Sequence, residues 1–186
     1  DGKEYNRVYN TALITGGGVH KGYDKIHTYD AFNYRESDTV RAGGELVTFV
    51  HDGVTVGVAT CFDIRFPEQF QQLAQRGAKV VVVPTSWADG PGKVEQWHIL
   101  TAARALDAGV FIAAADQARP DYETKAGEPS GPTGAGHSVV VDPFGTRLAE
   151  AGYGPETLVV EIDPTDADEA RKQLPLEAIR QHSAMR

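Results

Sequence analysis

Short runs of hydrophobic residues recur along the chain, and most runs end at residues that favour turns. Residues 79–84 and 110–116 are almost wholly apolar, which is typical of strands buried on both faces of a sheet. Two apolar runs within residues 44–60 flank a His-Asp-Gly sequence, and this pattern predicts a β-hairpin. Further strands are predicted at residues 7–15, as a pair around a turn within residues 137–152, and at residues 157–163.

Three other segments carry helical patterns. In residues 66–77, apolar side chains recur at helical spacing, Pro67 stands in the first turn and Gly77 follows the last. Helices are also predicted at residues 93–109 and 163–174, the second with an acidic start and a basic finish.

Alternating strands and helices predict one α/β domain over residues 1–186. Residues 118–136 are rich in Gly, Pro and polar residues and predict a long surface loop. Residues 175–186 have no strong core pattern, and we expect them to pack on a partner chain.

Composition narrows the possible classes of protein. The 26 acidic and 18 basic residues give a formal charge of −8, which disfavours binding to nucleic acid. No apolar run reaches 18 residues and the start lacks a signal-peptide pattern, so we expect no membrane span and a cytoplasmic location. A single cysteine forms neither an internal disulfide nor a two-cysteine metal site.

That cysteine, Cys61, lies between a β-branched alternating run and a predicted helix. At a strand-to-helix turn a side chain can project from the sheet edge, and nucleophiles of α/β hydrolases often occupy such turns. Unpaired cysteines are, however, among the most buried residues and usually behave as small hydrophobes. Both interpretations stay open on position alone.

A nucleophilic thiol needs help to ionise, because its ordinary pKa of about 8.5 leaves little thiolate at neutral pH. Lys25 is the candidate cation and Glu36 the candidate base or orienting group, although either could be a solvated surface residue. His27, His98 or His137 offer an alternative Cys–His pair, with His98 and His137 more typical of structural residues.

Other polar and aromatic residues near these positions are candidates for binding. Arg65 and Glu68 flank the cysteine turn, and we interpret them first as a structural ion pair and second as substrate contacts. Ser86 and Trp87 follow a buried strand at its carboxyl end, where α/β sheets commonly bind ligands. They are therefore candidate substrate contacts, although an aromatic residue at a strand end, such as Trp87, is nearly as often part of the core.

Taken together, these segments resemble the nitrilase superfamily of carbon–nitrogen hydrolases, and especially its amidase branch, which includes omega-amidase and deaminated glutathione amidase. YDKIHTYD (residues 23–30) resembles the lysine motif, ESDTVRAGGE (36–45) the second glutamate segment, and GVATCFDIRFPEQF (57–70) the cysteine motif. Later blocks follow in the same order: VVVPTSWADG, QWHILTAARALDAGVFIAAADQ and GHSVVVDPFG. The resemblance runs from about Tyr5 to about Pro175.

The resemblance implies a four-layer αββα sandwich that dimerises through the helix after the cysteine and through C-terminal elements. It implies hydrolysis of a small amide with release of ammonia, without a metal or organic cofactor. Cys61 would attack the carbonyl, Lys25 and the backbone N–H of Phe62 would hold the oxyanion, and Glu36 would position Lys25 or the substrate.

This sequence departs from the family pattern in several places. The family's general-base glutamate lies well upstream of the lysine, whereas only 24 residues precede Lys25 here. About the first third of the domain is therefore expected to be absent, and we expect a fragment or one piece of a longer product. Alone it would aggregate, be unstable, or recruit the missing N-terminal segment of the same gene product. Phe62 replaces the usual tyrosine, and Asp107-Ala108 replaces Glu-Asn.

Several alternatives remain. The chain could be a catalytically inactive assembly module of the same fold, or a hydrolase of nitriles or carbamoyl compounds. A homo-oligomer with an even number of subunits is expected from a two-fold interface.

Overall fold

The computed structural model describes residues 6–122 and 131–183 of the chain. Its strands are β1 (Thr11–Gly16), β2 (Val19–Asp24), β3 (Asp30–Ala31), β4 (Tyr34–Arg35), β5 (Val47–His51), β6 (Val54–Val58), β7 (Val80–Thr85), β8 (Phe111–Asp116), β9 (Val139–Val141) and β10 (Arg147–Glu150). Its α-helices are α1 (Pro67–Gln75), α2 (Lys93–Ala108), α3 (Asp166–Gln173) and α4 (Leu176–Ser183), and short 3-10 helices span Glu36–Asp38, Cys61–Arg65 and Pro120–Tyr122.

Six strands form the main sheet in the order β10-β9-β8-β7-β6-β5. Strands β6, β7 and β8 are parallel, because α1 and α2 carry the chain back between them, whereas the outer pairs are antiparallel. The carboxyl ends of the three parallel strands therefore meet at one edge of the sheet. The cysteine turn follows β6 at this edge, and Ser86 follows β7.

Helices α1 and α2 cover one face of this sheet. Phe70 and Leu73 of α1 and Trp97 of α2 are at most 1% exposed. Burial of each such side chain contributes about 1.5–3 kcal/mol. Strand β6 has glycine at position 57, where an added Cβ would lie 3.1 Å from Leu73 Cδ1, so a larger residue would crowd Leu73 of α1.

The opposite face of the main sheet is only partly covered by the described residues. Along β7, Val81 and Val83 are fully buried, whereas the intervening Val80 and Val82 are half-buried and Pro84 is exposed. The described ranges thus contain one helix layer on a six-stranded sheet, together with the two-stranded sheets β1-β2 and β3-β4. This is an α/β arrangement, and its four-layer form stays a prediction.

The two C-terminal helices are held mainly by polar contacts. In α3, Ala167 and Ala170 are buried and Asp168 forms an ion pair with Lys79 at 2.6 Å. Helix α4 buries no residue, and Glu177 accepts a hydrogen bond from Gln75 Nε2 at 2.6 Å. A helix in the tail is therefore compatible with the absence of a core pattern there. Its packing on a partner chain stays a prediction.

Most predicted elements are confirmed with shifted ends. Helices at 66–77, 93–109 and 163–174 correspond to α1, α2 and α3, and the 44–60 hairpin to β5 and β6. Strand β2 was not predicted, because its sequence VHKGYD has no regular alternation.

The prediction of a strand at residues 157–163 is wrong, because the described structure contains no strand there. Side chains alternate between exposed and half-buried in this segment, and Val159 is 92% exposed. An alternating pattern gives the periodicity of a strand, but a strand also needs a neighbouring backbone with which to pair.

The loop predicted at 118–136 contains a 3-10 helix at Pro120–Tyr122, and residues 123–130 lie outside the described ranges. Within those ranges, no helix has the length and hydrophobicity needed to cross a bilayer.

Candidate active site

A cavity of about 290 Å³ lies at the carboxyl edge of β6 and β7. All six residues predicted for the site line it: Lys25, Glu36, Cys61, Phe62, Ser86 and Trp87. Residues far apart in sequence therefore share one concave space, as the motif series predicts.

Cys61 occupies a strained turn directly after β6. Its φ angle is +48°, a left-handed conformation that non-glycine residues adopt at a cost in free energy. A 3-10 helix begins at this residue, so the Phe62 N–H lies in a first turn that supplies no intrahelical acceptor. The turn thus presents a thiol and a backbone donor beside the same cavity.

The Cys61 thiol is not ionised at neutral pH in this environment. Burial raises its pKa to about 11, although the Lys25 ammonium acts in the opposite direction. The sulfur also donates a hydrogen bond to the Ser86 carbonyl oxygen at 3.6 Å. The resting thiol therefore keeps its proton, and nucleophilic attack requires a proton acceptor.

Lys25 and Glu36 form a buried ion pair. Lys25 Nζ lies 2.5 Å from Glu36 Oε2, and the side chains are 3% and 10% exposed. The Tyr29 backbone N–H donates to the same oxygen at 2.6 Å, and Asn10 Nδ2 donates to the other at 3.2 Å. The alternative that either residue is a solvated surface residue is wrong, because the structure buries both charges against each other.

Arg65 does not form the predicted ion pair with Glu68. Its Nη2 donates to Gln96 Oε1 at 2.7 Å, and the guanidinium lies 5.2 Å from the Trp87 ring centroid and 5.8 Å from that of Phe62. The 3-10 helix turns this side chain towards α2 and the cavity rather than along α1. The second interpretation, a substrate contact, fits this position.

Lys93, the first residue of α2, brings a further cation to the cavity. Its Nζ lies 3.5 Å from the Phe32 ring centroid, and burial together with the nearby Arg65 lowers its pKa. Sequence reasoning missed Lys93 as well as Asn10 and Tyr29. The sequence did carry a signal for Lys93. A cation at a helix N-terminus is unfavourable because it opposes the helix dipole, and such a position indicates a functional residue.

Ser86 and Trp87 both line the cavity while bonding elsewhere. The Ser86 hydroxyl donates to the Pro132 carbonyl oxygen at 2.6 Å. The Trp87 backbone N–H donates to Asp116 Oδ1 at 2.8 Å, and the residue is 4% exposed. Burial raises the Asp116 pKa to about 6, since the N–H groups of Trp87 and Ala135 offset only part of the desolvation. Trp87 is thus both cavity wall and core.

Among the described residues, no histidine lines the cavity that holds Cys61. The His27 ring bonds to Asp63 and stacks on Phe66, whereas His98 and His137 both bond to Glu150. The Cys–His alternative therefore has no histidine in position.

His98, His137 and Glu150 are the cluster in the described ranges whose donor atoms could surround a metal ion. The two imidazole nitrogens lie 2.6 and 2.5 Å from the same Glu150 oxygen, and Arg147 Nε lies 3.2 Å from the other. A divalent cation would have to replace these bonds beside a guanidinium. We therefore interpret the cluster as a hydrogen-bonded link between α2 and the strands β9 and β10.

Comparisons with known proteins identify the family of the chain. The chain matches the carbon-nitrogen hydrolase family over residues 2–172. It is 47% identical over 174 residues to a hydrolase of Mycobacterium tuberculosis, covering 90% of this chain and 62% of that protein. It is 36% identical over 172 residues to deaminated glutathione amidase of Escherichia coli O157:H7, covering 91% and 61%.

The fold has a similar relative of known structure. The crystal structure of Saccharomyces cerevisiae Nit3, a member of the nitrilase superfamily, matches with a TM-score of 0.74 at 32% identity, covering 90% of this chain and 58% of that one. The chain belongs to the carbon-nitrogen hydrolase family and has its α/β fold. It spans about 60% of the length of these relatives.

Proposed function

We propose that this chain forms most of the active site of a thiol amidase that hydrolyses a small amide and releases ammonia. One observation carries the proposal: Cys61, at a strained turn, shares a cavity with the buried Lys25–Glu36 pair. A fixed ammonium beside a nucleophile and a backbone donor is the arrangement that stabilises an oxyanion.

In the first step the Cys61 sulfur attacks the amide carbonyl carbon and the carbonyl oxygen becomes negative. The Lys25 ammonium and the Phe62 N–H stabilise that oxygen. The thiol proton passes to a base, since burial raises the pKa of Cys61 to about 11. Glu36 is a poor acceptor because Lys25, Tyr29 and Asn10 already donate to it. We assign the base to the glutamate that the family carries upstream of its lysine motif.

In the second step the C–N bond breaks, and the protonated base returns a proton to the departing nitrogen, which leaves as ammonia. An acyl thioester on Cys61 remains. Water then attacks the thioester carbonyl with the same base as proton acceptor. The C–S bond breaks, the base returns its proton to the departing sulfur, and the products are the free thiol and a carboxylic acid, which releases its proton to solvent.

The charges around the cavity favour an amide that carries a carboxylate at its other end. Glu36 neutralises Lys25, whereas the contacts of Arg65 and Lys93 within the described ranges are with Gln96 and aromatic rings. Two cations therefore face the cavity of a chain whose formal charge is −8. A substrate carboxylate would form charge-assisted hydrogen bonds with these two cations. Ser86 and Trp87 would form the wall of the substrate cavity.

The partly covered sheet face supports a larger assembly. Half-buried Val80 and Val82 and exposed Pro84 would lie inside a four-layer αββα sandwich if further chain covered them. We assign that cover to an N-terminal segment of the same gene product, and the even-numbered homo-oligomer to helical surfaces of the completed domain.

The test is ammonia release by the full-length protein from α-ketoglutaramate and deaminated glutathione. Activity with either substrate and its loss in Cys61→Ala are expected, as is a covalent acyl adduct on Cys61 by mass spectrometry. Lys172→Ala, at an exposed residue of α3, is the control variant and should keep activity. Absence of ammonia and of any adduct with amides would contradict the proposal and favour an inactive assembly module, while adducts only with nitriles or carbamoyl compounds would change the substrate class.

A further inference from the structure

Asp63 has no assigned role, yet it is fully buried two residues after Cys61. Both carboxylate oxygens accept hydrogen bonds. Oδ1 accepts from the backbone N–H of His27 at 3.0 Å and lies 2.8 Å from its ring Nδ1. Oδ2 accepts from the Tyr23 hydroxyl at 2.5 Å and from the Thr60 N–H at 2.8 Å. A buried carboxylate with four donors is a rigid point in the structure.

These donors belong to the two segments that carry the proposed chemistry. Tyr23 and His27 lie two residues before and two residues after Lys25, and Thr60 directly precedes Cys61. Asp63 therefore links the backbone on both sides of the lysine to the turn that presents the thiol.

The link extends to α1 through Tyr23. Its hydroxyl oxygen accepts from Gln69 Nε2 at 2.8 Å and from the Ile26 N–H at 3.3 Å while it donates to Asp63. Burial and the Asp63 carboxylate raise the Tyr23 pKa, so the hydroxyl keeps the proton that it donates. Asp63 thus binds β2 and the cysteine turn directly, and α1 through the Tyr23 hydroxyl.

Asp63 does not line the cavity, so it does not touch a substrate there. Catalytic groups, however, lose much of their effect when their spacing changes by about 1 Å. We propose that Asp63 is a positioning residue, which holds the Lys25 ammonium beside the Cys61 thiol by binding the flanking segments of both. Its effect on amide turnover rests on the proposed function, whereas its effect on the thiol does not.

Alkylation of Cys61 by iodoacetamide at fixed pH measures this effect without any amide substrate. The rate follows the thiolate fraction, and tenfold in rate corresponds to one pKa unit. We expect Lys25→Ala to slow alkylation about tenfold, and Asp63→Asn to slow it by a similar factor because the ammonium loses its fixed position. The double variant should be no more than about twofold slower than Lys25→Ala, since the two residues act through one contact.

A matched control is Asp142→Asn, because Asp142 also accepts backbone N–H bonds, from Phe144 and Thr146, but lies in the β9-β10 turn. Its alkylation rate should equal that of the unaltered protein. A purely structural role for Asp63 predicts multiplicative slowing in the double variant, and this result, or an unchanged rate in folded Asp63→Asn, would overturn the proposal.

If Asp63→Asn does not fold, as judged by circular dichroism, Tyr23→Phe tests the positioning role instead. It removes one of the four bonds and should slow alkylation about threefold in the unaltered background and not at all in Lys25→Ala. An unchanged rate, or equal slowing in both backgrounds, would overturn the proposal.

In turnover assays the positioning role predicts a lower kcat with KM nearly unchanged. If these variants slow alkylation but the protein has no amidase activity, the positioning role of Asp63 is supported and the proposed function is contradicted.

Discussion

Two carboxylates in this structure each collect several donors, but only one of them lies beside space for a substrate. Glu36 binds Lys25, Tyr29 and Asn10 at the wall of the cavity that contains Cys61. Glu150 binds His98, His137 and Arg147 between α2 and the strands β9 and β10. Histidine and glutamate are typical catalytic residues, yet the second cluster lines no part of that cavity. The presence of titratable residues alone therefore does not identify a catalytic site.

The largest expected difference between the two clusters is in catalysis. Lys25→Ala should lower kcat about 10³-fold, or about 4 kcal/mol, because it removes an oxyanion donor. His98→Ala, the matched change in the other cluster, should leave kcat within about twofold, since that cluster takes no part in the proposed chemistry. Steady-state ammonia release measures both. A similar loss in the two variants would mean that the comparison of the clusters is wrong.

A second difference is expected in stability. Glu36→Gln leaves the 3% exposed Lys25 ammonium without its carboxylate, and should lower the free energy of unfolding by about 3 kcal/mol. Glu150→Gln alters a cluster whose side chains are 15–33% exposed, and should cost about 1 kcal/mol. Urea denaturation of both variants provides the measurement. Equal losses would contradict the argument from burial.

A smaller effect concerns the two remaining cations of the cavity. Arg65→Ala and Lys93→Ala should each raise KM about tenfold, or about 1.4 kcal/mol, for an amide that carries a carboxylate, since each removes one charge-assisted contact. KM for an uncharged amide of similar size should stay the same. Kinetics with the paired substrates test this, and a parallel rise for both amides would rule out carboxylate recognition.

The smallest effect should come from acid titration of Glu150. Burial alone would raise its pKa, but the bonds from His137 and His98 lower it below the ordinary value of 4.5. Its contribution to stability is therefore present above about pH 4.5 and lost as the pH falls through the depressed pKa. The stability gap between the unaltered protein and Glu150→Gln should be constant above about pH 5 and shrink below it. Chemical denaturation between pH 3 and 7 measures that gap, and a gap that grows in acid would show the opposite sign.

Local patterns were sufficient to predict much of the fold. Pro67, Gly77 and the apolar spacing between them predict α1, and the valine-rich run predicts β7, because these signals depend on nearest neighbours along the chain. Strand β2 was not predicted, because VHKGYD lacks regular alternation, although its partner β1 lies just before it across a short turn. The strand assigned at 157–163 was wrong, because a strand needs a partner backbone and the described residues form no strand pairing there.

The sequence by itself determined the candidate site, since the motifs around Lys25, Glu36 and Cys61 appear in order and all three side chains reach one cavity. Only the tertiary structure decided that burial keeps the thiol protonated, that Arg65 turns towards Gln96 instead of Glu68, and that Asp63 joins the lysine and cysteine segments. The physical reason is that pKa values and hydrogen-bond partners depend on solvent exclusion and on atoms brought together from distant residues. Spacing along a chain specifies neither.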